Sequence, residues 1–143
     1  MIAAGFEFPD VLHYHVADQT WVRDDGDGTV TVGITALGLR LAGEFYMCRP
    51  KRPGTVVECG RALALVELAK SVVSVHAPLT GTVLAVNAAV EADPALVHRD
   101  PYGDGWLARL QPADWVAEQA QLLHGEPVAA AMAHHAWLNR EAL

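Results

Sequence analysis

The chain has little lysine: of its ten basic residues only Lys51 and Lys70 are lysines, the rest being arginine. It has little cysteine, with Cys48 and Cys59 alone, and two unpaired thiols fit a reducing compartment. Ten residues lie between them, which matches no zinc motif. Long apolar runs are missing, so no segment is expected to span a membrane. The opening residues Met1-Ile2-Ala3-Ala4-Gly5 lack the basic flank of a signal peptide, and a cytoplasmic location is expected. Positive charge is scarce too. The formal net charge is −7, and the nearest thing to a basic patch is the short Arg49-Pro50-Lys51-Arg52 stretch. Nucleic acid is therefore not an expected partner. An acidic balance suits docking on basic partner surfaces.

What is present is apolar. Hydrophobic residues make up 52% of the 143, which excludes a disordered chain. The length suits one domain, or one domain with a terminal extension, and can bury a core without disulfides or metals.

Residues 1–16 carry no clear regular element, and Pro9 breaks any there is. Thr20–Arg23 and Thr29–Ile34 read as a hairpin around Asp24-Asp25-Gly26-Asp27-Gly28, a cluster that tolerates positive φ. That cluster lacks the bidentate glutamate of a calcium loop. Val30, Val32 and Ile34 alternate with Thr29 and Thr31, the pattern of a strand buried on one face. Thr35–Leu41 predicts a short helix closed by Gly43, with Gly38 weakening it. Short strands are expected at Glu44–Cys48, Thr55–Val57, Ala62–Ala69, Val72–Val75, Thr82–Val86 and Trp106–Leu110, with a loop over Arg49–Gly54. Pro94 offers a helix start. After Pro112 the pattern turns helical: Asp114 caps a helix to about His124, Gly125 stops it, and Pro127 opens a final one. The expectation is a mainly β fold, with an N-terminal segment over 1–19, a β domain over 20–111 and a helical extension over 112–143.

Lys70-Ser71 joins two apolar strands closely enough to place Lys70 at or beside a hairpin tip. Its neighbours Leu68, Ala69, Val72 and Val73 anchor the arms, and an unpaired ammonium must face solvent. Arginine cannot be acylated by the same chemistry, because its guanidinium stays protonated. A lysine amine can lose its proton and attack an activated acyl group. Once acylated, such a lysine becomes a long tether that raises the local concentration of its reactive end at each partner. The protein then needs no active site of its own. Taken alone, a hairpin lysine is more simply a solubilising residue.

The surroundings change that. Thr20-Trp21-Val22-Arg23, Thr31-Val32-Gly33-Ile34-Thr35, Ala77-Pro78-Leu79-Thr80-Gly81 with Val86-Asn87, and Asp100-Pro101-Tyr102-Gly103-Asp104-Gly105-Trp106-Leu107 resemble, in order and spacing, the H protein of the glycine cleavage system. The resemblance covers about residues 5–140. It implies a barrel-sandwich hybrid of the lipoyl-domain kind and a non-catalytic carrier with lipoate attached covalently to one lysine. The family's modified lysine stands seven residues before its Ala-Pro pair, as Lys70 stands before Ala77. The family's lipoylation enzymes read a glutamate three residues before the lysine and a glycine eleven after, which correspond to Glu67 and Gly81. By itself Gly81 reads as a turn glycine. The partners implied are a lipoate ligase or lipoyl transferase, dihydrolipoamide dehydrogenase, and the enzymes that load and unload the arm. A carrier visiting several partners is expected to be a monomer.

The match departs at two places. The lipoylation motif is Glu67-Leu68-Ala69-Lys70 rather than Glu-Ser-Val-Lys, and the preceding loop is the basic Met47-Cys48-Arg49-Pro50-Lys51-Arg52-Pro53. A second class of H-like carriers serves bacterial sulfur oxidation with a heterodisulfide-reductase-like complex. The altered motif, the basic loop and Cys48 as an accessory redox thiol favour that class. The alternative is the glycine cleavage system, with the aminomethyl group passed between its P and T proteins. A further alternative is an unmodified structural or regulatory domain. An enzyme using Glu67 or a histidine as base lacks a second partner residue. Cys48 and Cys59 read more simply as unpaired small residues packed in strands. The pairs His13 with His15 and His134 with His135 lack further ligands at metal spacing.

Overall fold

The computed structural model describes residues 1–143, and its framework is β. The chain begins with the strands β1 (Ile2–Ala3), β2 (Phe6–Glu7), β3 (His13–His15), β4 (Thr20–Asp24) and β5 (Val30–Ile34). Helix α1 (Ala36–Ala42) precedes β6 (Met47–Pro50), β7 (Val56–Val57), β8 (Ala62–Glu67), β9 (Val72–His76) and β10 (Gly81–Val86). Helices α2 (Ala88–Ala92) and α3 (Leu96–Arg99), strand β11 (Ala108–Pro112), and helices α4 (Trp115–Gln119) and α5 (Pro127–Leu138) complete it. The strands make a two-stranded ribbon β1-β2, a six-stranded sheet β3-β4-β5-β11-β10-β7, and a three-stranded sheet β6-β8-β9.

The segment 1–19, expected to be irregular over its first sixteen residues, holds three strands. Ala4 at φ 52 and Gly5 at φ 84 turn β1 back onto β2, the left-handed pair of a type I′ hairpin turn. Strands this short have no periodicity to read. The hairpin of β4 and β5 forms around Asp24–Gly28 as expected, with Gly26 and Gly28 at positive φ. Beside it, Asp25 accepts from Thr31 Oγ1 at 2.9 Å and lies 3.1 Å from Arg23 Nε. The expectation of one buried face for β5 is corrected: all five of its residues are buried. β5 is a central strand, so Val30 and Val32 enter one core while Gly33 lies under the indole of Trp21. A Cβ on Gly33 would stand 2.4 Å from that ring, which no packed interior tolerates.

Helix α1 starts and stops where the capping residues say. Thr35 Oγ1 accepts from the Gly38 N–H at 3.0 Å, and Gly43 at φ 87 closes the last turn. Gly38 has a tertiary reason: a Cβ there would meet Gln19 Cβ at 2.6 Å. The loop expected over Arg49–Gly54 is shorter, because Arg49 and Pro50 pair with Leu65 and Ala64 in β6. Pro50 can do so because β6 is an edge strand with no second neighbour to serve. Helix α4 keeps its Asp114 cap but ends at Gln119, short of the expected His124.

Three buried clusters fill the space. One, with Val22, Val32, Leu63, Leu79, Val83 and Leu110, lies against the six-stranded sheet. A second, with Phe8, Tyr14, Trp21, Leu37, Val128 and Met132, ties the N-terminal segment to α5. The third, with Phe45, Cys48, Ala64, Val66, Val90 and Val97, lies beneath the three-stranded sheet. The run Asp100–Leu107 is a clamp between them. Tyr102 Oη donates to the Glu7 carbonyl at 2.7 Å and accepts from the Ala36 N–H at 3.0 Å, while the Pro101 carbonyl accepts from Trp21 Nε1 at 3.0 Å.

Candidate functional site

Strands β8 and β9 form the hairpin that carries Lys70. Their register pairs Glu67 with Val72, Val66 with Val73 and Leu65 with Ser74. The tip is closed by the Leu68 N–H donating to the Ser71 carbonyl at 2.8 Å, which leaves Ala69 and Lys70 at the centre of the turn. Among non-glycine residues only Ala4 and Gln19 have positive φ, so this turn needs no glycine and an Ala-Lys pair can occupy it. Ala64 and Val66 root the hairpin in the core, and half-buried Leu68 packs there too. The lysine is exposed and belongs to none of the eight ion pairs. An ammonium on a stiff, rooted turn is thus free to meet another protein.

Glu67 stands three residues before Lys70 on the outward face of β8, between Met47 of β6 and Val72 of β9. Its side chain is exposed and enters no ion pair. Gly81 is elsewhere. It is the first residue of β10, buried, paired with Pro112 on one side and Val57 on the other. Its φ is not positive, so the turn-glycine expectation is corrected. A Cβ at this position would lie 2.5 Å from the Gln111 carbonyl oxygen, and the close approach of two backbones is what excludes a side chain.

The surroundings of Cys48 do not suit an accessory redox thiol. Cys48 is 1% exposed, packs beneath the three-stranded sheet, and burial with the Glu91 charge pushes its thiol up to about 12. A buried neutral thiol is a packing residue. Cys59 is exposed and also free, on a turn whose backbone N–H donates to Thr80 Oγ1 at 2.9 Å.

One feature of the site leaves no trace in the sequence. A groove of about 360 Å³ runs along β9, floored by Ile34, Phe45, Val66 and Val73 and edged by Asp18, Ser74, His76 and His135. Asp18 lies 3.5 Å from His76 Nδ1 and 3.5 Å from His15 Nδ1. Gln19, next to it, is held at φ 55 by the Thr35 N–H and hydroxyl, both donating to Gln19 oxygens. Fifty-seven residues lie between Asp18 and His76, and no spacing rule joins them.

A family model described as glycine cleavage H-protein matches residues 12–135. The chain is 42% identical over 108 residues to the glycine cleavage system H protein of Halorhodospira halophila, covering 76% of this chain and 82% of that one. It is 38% identical over 122 residues to the glycine cleavage system H protein 2 of Aquifex aeolicus, covering 85% and 76%. The crystal structure of a glycine cleavage system H protein from Mycobacterium marinum superposes with a TM-score of 0.73 at 30% identity, covering 93% of this chain and 99% of that one. These relatives favour the glycine cleavage alternative; none of them supports the sulfur-oxidation reading, and the burial of Cys48 removes one of the features that favoured it. The chain belongs to the glycine cleavage H-protein family, whose members are non-catalytic carriers of a lysine-bound lipoyl group.

Proposed function

We propose that Lys70 is the lipoyl-bearing lysine and that the chain carries the aminomethyl group between the P and T proteins of glycine cleavage. The observation that carries this reading is the lysine itself. It is exposed at the centre of a rooted hairpin turn, seven residues before Ala77-Pro78, in a chain of this family. The other lysine, Lys51, lies in the loop after β6. When attached, the lipoyl group supplies the disulfide that accepts the cargo, and dihydrolipoamide dehydrogenase restores it.

The chain's own residues position and shelter the arm. Its groove begins at Val73, three residues from Lys70, which is about 10 Å of strand. An acylated lysine can fold back into it. The apolar floor suits an acyl chain, and the Asp18 carboxylate at the edge suits a small amine cation. Glu67, exposed three residues before the lysine, is the residue a lipoylating enzyme reads directly. Gly81, buried between two strands, serves recognition through the sheet it allows to close.

Intact mass tests the assignment. The chain coexpressed with a lipoate ligase and lipoate should gain one lipoyl group. Lys70→Arg should lose it, and Lys51→Arg should keep it. A mass gain that survives Lys70→Arg, or no gain in the unaltered chain, refutes the reading.

A further inference from the structure

The charge of this chain is unevenly placed. Residues 47–76, from β6 through β9, hold Arg49, Lys51, Arg52, Arg61 and Lys70 against Glu58 and Glu67, a formal +3. The remaining residues hold five cations and fifteen carboxylates, a formal −10. The carrier's overall acidity therefore does not describe the sheet that bears its lysine.

The register and the groove beside it bring Arg49 and Lys51 to one face. Arg49, Leu65 and Ser74 lie side by side across β6, β8 and β9, and Met47, Glu67 and Val72 form the next row toward the tip. Leu65 is 46% exposed and Val72 57%. A groove of about 750 Å³ opens on Arg49, Lys51, Arg52, Thr55, Leu65 and Ser74. Arg52 is already engaged, donating to Glu91 and to the Pro50 carbonyl. Arg49 and Lys51 belong to no ion pair. Two free cations thus flank an exposed leucine one row from the strand end that leads to Lys70.

We propose that the outer face of the β6-β8-β9 sheet docks a carboxylate-rich, partly apolar protein segment of an enzyme that acts on the arm. Arg49 and Lys51 pair with its carboxylates, and Leu65 and Val72 meet its apolar side chains. The partner's role in handling the arm rests on the reading of Lys70 above; the complementarity itself does not. A long polyanion is the wrong occupant. The acidic remainder of the molecule repels it, and exposed leucine and valine offer nothing to a phosphate backbone. A short acidic segment escapes that repulsion and uses the apolar centre, the arrangement of a protein interface with a polar rim.

The test is an amide chemical-shift titration of the full chain, lipoylated and unmodified, with a synthetic peptide alternating glutamate and leucine. The expected result is saturable shifts at residues 47–49, 51, 52, 65 and 72–74, with binding at least tenfold weaker when sodium chloride rises from 50 to 300 mM. The double variant Arg49→Glu/Lys51→Glu should bind at least tenfold more weakly while keeping its melting temperature. Arg40→Glu, an exposed cation on α1 away from this face, should bind as the parent does. Equal binding by a peptide with glutamine in place of glutamate, or shifts elsewhere on the molecule, overturns the proposal. So does tighter binding of polyuridylate at the same face, which assigns it to nucleic acid. Absence of a mass gain on lipoylation would sink the Lys70 assignment and leave the titration readable.

Discussion

Replacing Gly81 by alanine should lower stability without preventing lipoylation. The new Cβ would lie 2.5 Å from the Gln111 carbonyl oxygen, 3.1 Å from its carbonyl carbon and 3.2 Å from Pro112 Cα. All three are backbone atoms of the neighbouring strand, so no side-chain rotation relieves the contact. Strand β10 must move away from β11, and the Gly81–Pro112 and Thr82–Gln111 pairings loosen with it. Overpacking of this kind costs about 1–3 kcal/mol, and a weakened strand hydrogen bond about 1 more. Because φ at Gly81 is not positive, alanine recovers about 0.4–1 kcal/mol through a less flexible unfolded chain. The net loss is then about 1–3 kcal/mol, and at roughly 4 °C per kcal/mol for a chain of this size the melting temperature should fall by roughly 4–12 °C. Calorimetry reads that fall. Lipoylation followed by intact mass below the melting range reads the second part, since a buried glycine offers an enzyme no surface. A melting temperature within a degree of the parent refutes the steric argument. A stable variant that is no longer modified shows instead that the glycine is read directly.

The complementary change is Glu67→Gln. This carboxylate is exposed and unpaired, so stability should stay within about 0.5 kcal/mol, while the rate of lipoylation, followed by mass against time, should drop; an unchanged rate removes Glu67 from recognition. Acidification should also weaken the fold. Burial holds His13, His98 and His135 below the ordinary imidazole value, helped by the His124 charge at His13 and by that of His134 at His135. As pH falls below about 6.5 the unfolded chain takes up these protons and the folded one lags, so stability drops with pH in that window. Thermal melts between pH 8 and 5 should show a falling midpoint, with a smaller slope in His13→Gln; a midpoint that rises on acidification contradicts the sign.

The sequence by itself determined the features that local chemistry fixes. Thr35 and Gly43 bound a helix, Asp114 caps another and Pro127 opens the last, because capping needs only neighbouring backbone groups. The Asp24–Gly28 turn and the hairpin at Lys70 were legible for the same reason, and the spacing of Glu67, Lys70 and Ala77 is a property of the string. Tertiary structure alone decided the rest. β5 looked half-buried and is covered on both faces, because alternation shows which residues share a side and not what lies opposite. Gly81 looked like a turn residue and is a strand residue pressed against another backbone, a distance no sequence contains. Cys48 looked available and is sealed in the core by α2 and α3. The groove of Asp18 and His76, and the free cations beside Leu65, exist only because strands far apart in the chain are brought into register. Hydrogen bonding across the sheets sets that register, and it reaches beyond any spacing rule.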